Sequence, residues 1–173
     1  AQDVPEAFNN LGYLYQYGQG VPPDPVRAAR LYSQAADAAD PAGQTNLARL
    51  YLSGTGVARD AKRALALFVQ AAEQDYANAQ ASLGYMHANG NGVERDFDEA
   101  TKWLRRAAEG ASLEAMELLG FLYYEGERVH RDLALARDWF TRAAVEGSGY
   151  AMASLAHMYE HGIGVPANSA EAR

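Results

Sequence analysis

Apolar residues recur along this chain at the three- and four-residue spacing of an amphipathic helix, and every second helical stretch, beginning with the first, is followed by a glycine. In residues 79–89, for example, Leu83 and Met86 share the apolar side, and Gly90 follows. Glycine commonly ends a helix because it adopts positive φ without steric cost. Asp96 then begins a second helical pattern, since its carboxylate can accept a hydrogen bond from the first-turn amides. The pattern predicts two short helices joined by a glycine-containing loop.

The same two-helix pattern occurs five times at a constant interval of 36 residues. Each copy has a leucine with Gly or Ala beside it, a Tyr or His four residues later, a glycine loop with a valine, and an Asp or Asn. The leucines are Leu11, Leu47, Leu83, Leu119 and Leu155, and the second helices begin at Asp24, Asp60, Asp96, Asp132 and Asn168. Because the loop is present in every copy, its glycines are interpreted as part of the framework rather than as a phosphate-binding site.

The repeats predict an all-α fold, a solenoid of antiparallel helix pairs that occupies residues 1–173 as one domain. Complete repeats are expected at 7–42, 43–78, 79–114 and 115–150, with an incomplete fifth at 151–173. The spacing of a capping box occurs at 96–99 and again at 168–171. Aromatic residues of the second helices fall at packing positions and are expected in the core: Tyr32, Phe68, Trp103, Trp139 and Phe140.

Composition and charge exclude several classes of function. The chain has 15 basic and 22 acidic residues, a formal net charge of −7 and no basic run, so nucleic-acid binding is not expected. No apolar stretch approaches the ~20 residues of a membrane span, so direct membrane insertion is not expected either. Cysteine is absent, which excludes disulfides and thiolate chemistry but leaves the compartment open.

One segment resembles a metallopeptidase motif. His157, Glu160 and His161 form H-x-x-E-H, in which two histidines of a helix can bind zinc while the glutamate acts as general base. The same residues are also the fifth copy of the repeat, and only 12 residues follow in which a third ligand could lie. Catalytic zinc has three protein ligands, so His157 and His161 are weak metal candidates, with an adventitious or partner-shared metal as the alternative to surface histidines.

Signs of other chemistry are missing. No serine has a lysine three residues on, no G-x-S-x-G occurs and no glycine precedes a lysine, so no catalytic residue and no cofactor are expected. His87 stands at the packing position that is tyrosine in the other repeats and is expected to be partly buried. His130 lies in an irregular loop, at 127–130, which is either a tolerated variation or a local recognition feature.

The repeat unit A-x-x-x-L-G-x-x-Y-x-x-G-x-G-V-x-x-D-x-x-x-A, ending in A-A, resembles the Sel1-like repeat (SLR), a relative of the tetratricopeptide repeat. Residues 79–108 fit it closely, and the resemblance extends over essentially the whole chain. It implies a right-handed superhelix with a concave groove lined mainly by first helices, and work as an adaptor or scaffold in protein complexes. Many bacterial relatives are exported, and eukaryotic ones serve endoplasmic-reticulum quality control. A cysteine-rich, penicillin-binding branch is similar too, but its activity is not carried over because cysteine is absent here.

One register of the first helix changes its chemistry from repeat to repeat while its neighbours stay fixed. It lies two residues after the leucine and holds Tyr13, Arg49, Tyr85, Phe121 and His157. Positions four residues before or after it share that side of the helix and include Asn9, Thr45, Glu117, Tyr17, Asn89 and Glu125. Aromatic residues and arginine contribute most to protein interfaces, which predicts a partner-binding groove. The alternative is that Tyr13, Tyr85 and Phe121 seal contacts between neighbouring repeats.

The sequence therefore predicts a non-catalytic adaptor that holds a protein or peptide partner in a bacterial envelope or secreted assembly. The expected location is periplasmic or secreted, with the cytoplasm as the alternative. A hydrolase, either zinc peptidase-like or β-lactam-binding, is the rival class of function. Residue 173 falls about one turn into the fifth second helix. We therefore expect weak self-association through that end, near Leu155 and Tyr159.

Overall fold

The computed structural model describes residues 3–126 and 130–165, and every regular element in those ranges is an α-helix. Odd-numbered helices are the first helices of the repeats, and even-numbered helices are the second helices. Their bounds are α1 Asp3–Tyr17, α2 Pro25–Asp37, α3 Pro41–Ser53, α4 Ala61–Ala72, α5 Ala77–Asn89, α6 Phe97–Glu109, α7 Leu113–Glu125, α8 Leu133–Val145 and α9 Gly149–His161. The predicted all-α repeat architecture is confirmed.

Aspartates begin the second helices as the pattern predicts. The carboxylates of Asp24, Asp60, Asp96 and Asp132 each accept a hydrogen bond from a first-turn amide. These bonds satisfy amide groups that have no partner within the helix. Side-chain caps also begin three first helices, at Asp40, Ser112 and Ser148, and the sequence analysis did not anticipate them.

The capping box expected at 96–99 is only half formed. The Glu99 amide donates to the Asp96 carboxylate at 2.9 Å. The reciprocal bond is replaced, because the Asp96 amide donates to the His87 carbonyl at 3.0 Å. The Glu99 carboxylate accepts instead from Lys102 Nζ at 3.0 Å. The hydrogen bond from the Asp96 amide to α5 therefore takes the place of the expected bond to the Glu99 carboxylate. The second capping box, at 168–171, lies outside the described residues.

Two kinds of turn join the helices. After first helices, a glycine in the left-handed conformation ends the helix, as at Gly54 with φ of 74° and Gly90 with φ of 72°. After second helices, the left-handed residues are 36 apart, and most are not glycine: Ala39, Asp75, Ala111 and Gly147. Only the first of these turns is evident from the residue types, because left-handed φ normally favours glycine.

The core lies between the two helices of each pair and between adjacent pairs. Tyr32, Phe68 and Phe140 are fully or almost fully buried, as predicted for their register. Trp103 and Trp139 are only half-buried, because each packs on the edge of a core cluster beneath an arginine side chain. Small residues allow close approach of paired helices, since a Cβ on Gly84 would lie 2.5 Å from Leu104 Cγ.

The pattern of helix contacts sets the curvature of the array. Each first helix contacts the next first helix along the chain, whereas the second helices make no comparable contacts with one another in the described ranges. The first helices therefore lie on the inner side of the array. No helix in these ranges is both long and apolar enough to cross a membrane.

Candidate functional site

The variable register of the first helices is solvent-exposed in every repeat. The exposed fractions are 44% for Tyr13, 48% for Tyr85 and 39% for Phe121, and Arg49 and His157 are exposed as well. Two residues correspond to about 200° around an α-helix, which separates this register from the leucine register, where Leu47, Leu83 and Leu119 are buried. We call Tyr13, Arg49, Tyr85, Phe121 and His157 the inner-face register, because first helices occupy the inner side of the array.

Residues of the inner-face register from consecutive first helices meet in shared pockets. One, the α3–α5 pocket, has a volume of about 360 Å³ and is lined by Arg49, Leu52, Phe68, Ser82, Tyr85 and Glu114. The other, the aromatic pocket, has a volume of about 370 Å³ and is lined by Phe121, Tyr124, Glu125, Phe140, Tyr150, Ala153, Ser154 and His157. Five lining residues of the first pocket have their counterparts in the second at an offset of 72 residues, which is two repeats.

The aromatic pocket has rings on several sides. Phe140 is 1% exposed and contacts the ring of Tyr150 edge-on, with centroids 6.0 Å apart and planes at 71°. Phe121 and Tyr124 project from α7, while Tyr150 and His157 come from α9. Ser148, which caps α9, donates its hydroxyl to the Glu117 carboxylate of α7 and so fixes the two first helices relative to each other.

Of the flanking positions predicted for the groove, some are exposed to solvent and others are hydrogen-bonded within the protein. Tyr17 and Glu125 are exposed, and the ring of Tyr17 lies 4.6 Å from that of Tyr13. Asn9 accepts a hydrogen bond from Asn46 at 2.8 Å, and half-buried Asn89 donates to the Tyr85 carbonyl at 2.9 Å.

Thr45 does not belong on the inner face. Its side chain is buried, with 2% exposure, and its hydroxyl donates to the Pro41 carbonyl at 2.7 Å. Burial at this register differs between repeats, since Thr45 and Ala81 are buried whereas Ala153 is exposed. Thr45 is therefore removed from the predicted groove.

The two histidines of the H-x-x-E-H segment are exposed and stacked one helical turn apart. Their ring centroids are 4.3 Å apart, and His161 Nδ1 lies 3.0 Å from the His157 carbonyl oxygen. Within the described ranges, no cluster of three or more His, Asp or Glu side chains is arranged to hold a metal ion. The pair lies on the inner face beside the aromatic pocket, which His157 lines.

The remaining histidines differ in burial. His87 is half-buried at the tyrosine register, as expected, and its Nδ1 atom is buried without a hydrogen-bond partner in the described structure. The tyrosines at this register pair with arginines: Arg63 donates to the Tyr51 hydroxyl at 3.3 Å, and Arg105 to that of Tyr123 at 2.7 Å. His130 is exposed, and residues 127–129 of its loop lie outside the described ranges.

Charge is distributed unequally between the two kinds of helix. Thirteen Lys and Arg residues lie in the described ranges, and Arg49 alone among them is on a first helix. The same first helices carry Glu6, Glu114, Glu117, Glu125 and Glu160, none of which pairs with a described Lys or Arg. Most exposed large apolar side chains of the described residues also lie on first helices. The inner side is thus both acidic and rich in exposed aromatic surface.

Sequence reasoning missed two members of the aromatic pocket. Tyr124 corresponds to Gln16, Leu52 and Ala88 in the earlier repeats, and Tyr150 corresponds to Ala42, Asn78 and Glu114. Both registers vary in chemistry from repeat to repeat, which is the same signal that identified the inner-face register.

Stacked helix pairs with one inner face define the class of α-solenoid repeat proteins. The Sel1 repeat profile matches this chain at residues 5–40, 41–76, 77–112, 113–148 and 149–173. These repeats have the 36-residue period of the sequence pattern and begin two residues earlier than the units drawn from it. The chain belongs to the Sel1 repeat family, whose members are generally scaffolds for protein–protein interaction.

Solved structures of bacterial Sel1 repeat proteins are similar over nearly the whole chain. A Sel1 repeat protein from Oxalobacter formigenes is 38% identical with a TM-score of 0.92, and the match covers 99% of this chain and 70% of that one. The protective antigen c5321 of uropathogenic Escherichia coli, which has the SLR fold, is 34% identical with a TM-score of 0.88, covering 99% of this chain and 37% of that one. Immunity protein Pa5087 of Pseudomonas aeruginosa is 26% identical with a TM-score of 0.69, covering 97% and 62%. No functionally curated protein matches the chain.

Proposed function

We propose that this protein is a non-catalytic adaptor that binds a segment of a protein partner along the inner face of its first helices. The observation that carries the proposal is the shared pockets, in which inner-face residues of consecutive first helices lie side by side. A segment that follows this face would meet one pair of such residues after another. The general role of Sel1 repeats as interaction scaffolds supports the same function.

The inner face has the physical properties of a binding surface. Exposed aromatic side chains give large contact areas at low cost in conformational entropy, and they concentrate binding energy in a few residues. Tyr13, Tyr85 and Phe121 are held on helices whose opposite sides are packed in the core, so little ordering is needed when a partner binds. Stacked repeats create an extended concave surface on which a partner can bind.

The test compares two variants of the intact chain in a pull-down from native extract. The inner-face variant carries Tyr13→Ala, Tyr85→Ala and Phe121→Ala. The control variant carries Val26→Ala and Val145→Ala on second helices, where the exposed fractions are 50% and 81%. We expect the inner-face variant to lose a partner that the control variant and the intact chain retain. Circular dichroism and a melting curve check that both variants fold, which is expected because every substituted side chain is exposed.

Retention of the partner by a folded inner-face variant would move the binding surface elsewhere and contradict the proposal. Unfolding of that variant would show that the three aromatic residues serve packing between repeats, which is the competing interpretation. The hydrolase alternative gains no support from the family or from the solved structures to which the chain is similar.

We further propose that the partner lies in a bacterial envelope or secreted assembly, so that the protein is periplasmic or exported. The support for this location is that the similar chain from uropathogenic Escherichia coli is described as a protective antigen. Cell fractionation of the native producer with an antibody against this chain tests the location. Recovery in the cytoplasmic fraction alone would contradict it.

A further inference from the structure

The aromatic pocket is lined by more rings than its counterpart two repeats earlier. Arg49, Leu52, Ser53 and Asn78 correspond to Phe121, Tyr124, Glu125 and Tyr150, so three positions become aromatic and one becomes acidic. Phe68 corresponds to Phe140, so the buried floor stays the same. Both pockets are lined by a carboxylate, Glu114 in the α3–α5 pocket and Glu125 in the aromatic pocket, and Tyr85 corresponds to His157. Among the described residues, the α3–α5 pocket has Arg49 beside its carboxylate, whereas the aromatic pocket has no Lys or Arg in its lining and has more rings.

Rings and a carboxylate around one cavity suit a cationic side chain. The face of an aromatic ring attracts a cation within about 6 Å, and the attraction grows when the cation is shielded from water. Glu125 lines the same pocket, is exposed and pairs with no described Lys or Arg. A carboxylate at the edge of an aromatic enclosure supplies the charge-assisted hydrogen bond that a guanidinium or ammonium group requires.

Among the described residues, cation–π contacts occur elsewhere in the protein but not in this pocket. Arg27 lies 4.3 Å from the centroid of Tyr15, and Arg142 lies 4.4 Å from that of Trp139. No Lys or Arg within the described ranges lies over the rings of Phe121, Tyr124 or Tyr150. Arg131, in the loop after α7, donates its guanidinium N–H to the Tyr124 carbonyl at 3.1 Å. This described cation is therefore engaged with the backbone rather than with the rings of the pocket.

We infer that the aromatic pocket takes the Lys or Arg side chain of a partner segment that binds along the inner face. The inference rests on the proposed function and specifies the partner's chemistry at one position. Charge complementarity favours it at this end of the face, because α7 and α9 carry four glutamates and no Lys or Arg. Phe121 and Tyr150, which are exposed, would contact the aliphatic part of the side chain, while Glu125 would accept its hydrogen bond.

The test selects ligands without assuming a natural partner. The intact chain is used to select from a displayed library of random linear peptides, and a peptide that is enriched is synthesised and titrated by fluorescence anisotropy. We expect a Lys or Arg at one fixed position, and replacement of that residue by norleucine should weaken binding about tenfold, the equivalent of ~1.4 kcal/mol. Norleucine keeps the aliphatic length and removes the charge.

Variants of the protein locate the contact. Glu125→Gln is expected to weaken binding of the cationic peptide several-fold and to leave the norleucine peptide unaffected. Glu160→Gln removes the same charge from an exposed first-helix position outside the pocket, and it should change the affinity less than twofold if long-range charge is screened. Equal effects of the two variants would overturn the assignment to this pocket.

The outcomes separate this inference from the proposed function. Peptides that lose binding to the Tyr13→Ala, Tyr85→Ala, Phe121→Ala variant but contain no preferred Lys or Arg would leave the function intact and overturn the inference. Peptides that bind that variant unchanged, or a library without any binder, would contradict both. If free arginine amide displaces the peptide when both are present at the same concentration, the pocket binds a small cation. That result would overturn the inference that a partner's side chain occupies it.

Discussion

Tyr32 illustrates how a single register residue combines packing with hydrogen bonding. Its side chain is 0% exposed, and its hydroxyl donates to Gln16 Oε1 at 2.7 Å across the first helix pair. Burial raises the pKa of the Tyr32 phenol well above its ordinary value, and the neighbouring Tyr17 and Tyr13 raise it further. The folded chain therefore keeps the phenol protonated at a pH where an unfolded chain releases the proton.

Tyr32→Phe should cost about 1 kcal/mol of unfolding free energy at neutral pH, because the hydrogen bond is lost and Gln16 keeps an unpaired oxygen. The raised pKa contributes stability that is fully present below the ordinary tyrosine pKa of about 10 and is lost as pH rises beyond it. The difference between the two proteins should thus shrink or reverse in alkaline solution. Urea titrations at a series of pH values measure it, and a difference that does not vary with pH would contradict the account.

At the scale of the element, the turns between one repeat and the next carry backbone strain. Ala39 and Ala111 adopt φ of 61° and 60°, a region that costs a residue with a Cβ about 1 kcal/mol. The equivalent residue of the fourth repeat is Gly147, with φ of 93°, where an added Cβ would contact nothing within 4 Å. All three positions have positive φ, so Ala39 and Ala111 bear the conformational cost of a Cβ there and Gly147 does not.

Ala39→Gly and Ala111→Gly should each stabilise the protein by about 0.5–1 kcal/mol, since the strain is relieved without loss of packing. Gly147→Ala is the matched reverse substitution and should destabilise it by a similar amount. Denaturant midpoints of the three variants measure these effects. If all three changes lower stability, side-chain contacts rather than backbone strain decide the turn.

At the scale of the whole molecule, stability depends on contacts between neighbouring repeats. Helix contacts in the described ranges join only helices of the same or adjacent repeats. Leu83 is 0% exposed in a core cluster that also contains Phe68 of the preceding repeat, whereas Leu11 in the same register is 37% exposed. Leucine at this register therefore links two repeats at Leu83, whereas at Leu11 it contributes less to the packing between repeats.

Leu83→Ala should lower the unfolding free energy by about 2–5 kcal/mol, because it opens a cavity between the second and third repeats. Leu11→Ala, the matched control, should cost less than about 1 kcal/mol, since part of that side chain is already in water. Hydrogen exchange should also show the two sides of the cavity losing protection at different denaturant concentrations. Equal costs for both variants would contradict a quasi-one-dimensional array.

Much of the fold was predictable because it repeats. The period, the glycine ends of first helices and the aspartate starts of second helices each depend on local chemistry that five copies reinforce. The half-formed capping box at Glu99 was not predictable, since its side chain had a second partner in Lys102. The left-handed Ala39 and Ala111 carry no local signal either, because alanine ordinarily avoids that conformation.

The candidate site was predictable only in part. The exposure of Tyr85 and Phe121 follows from helical geometry, which places the inner-face register opposite the buried leucines. Thr45 was assigned to the same side of its helix, but its side chain is buried and its hydroxyl donates to the Pro41 carbonyl. Tyr150 joins the aromatic pocket across a repeat boundary, so its place depended on how one helix pair sits on the next.

By itself, the sequence determined the period, the helix pairs, the family and the exposed register of the first helices, because these depend on residues close together along the chain. The tertiary structure decided which of those residues share a pocket, which are engaged with a neighbouring repeat, and that acidic and aromatic side chains gather on one side. The physical reason is that helix stacking brings together residues about 36 or 72 positions apart, and small shifts in that stacking decide whether a side chain meets solvent or protein.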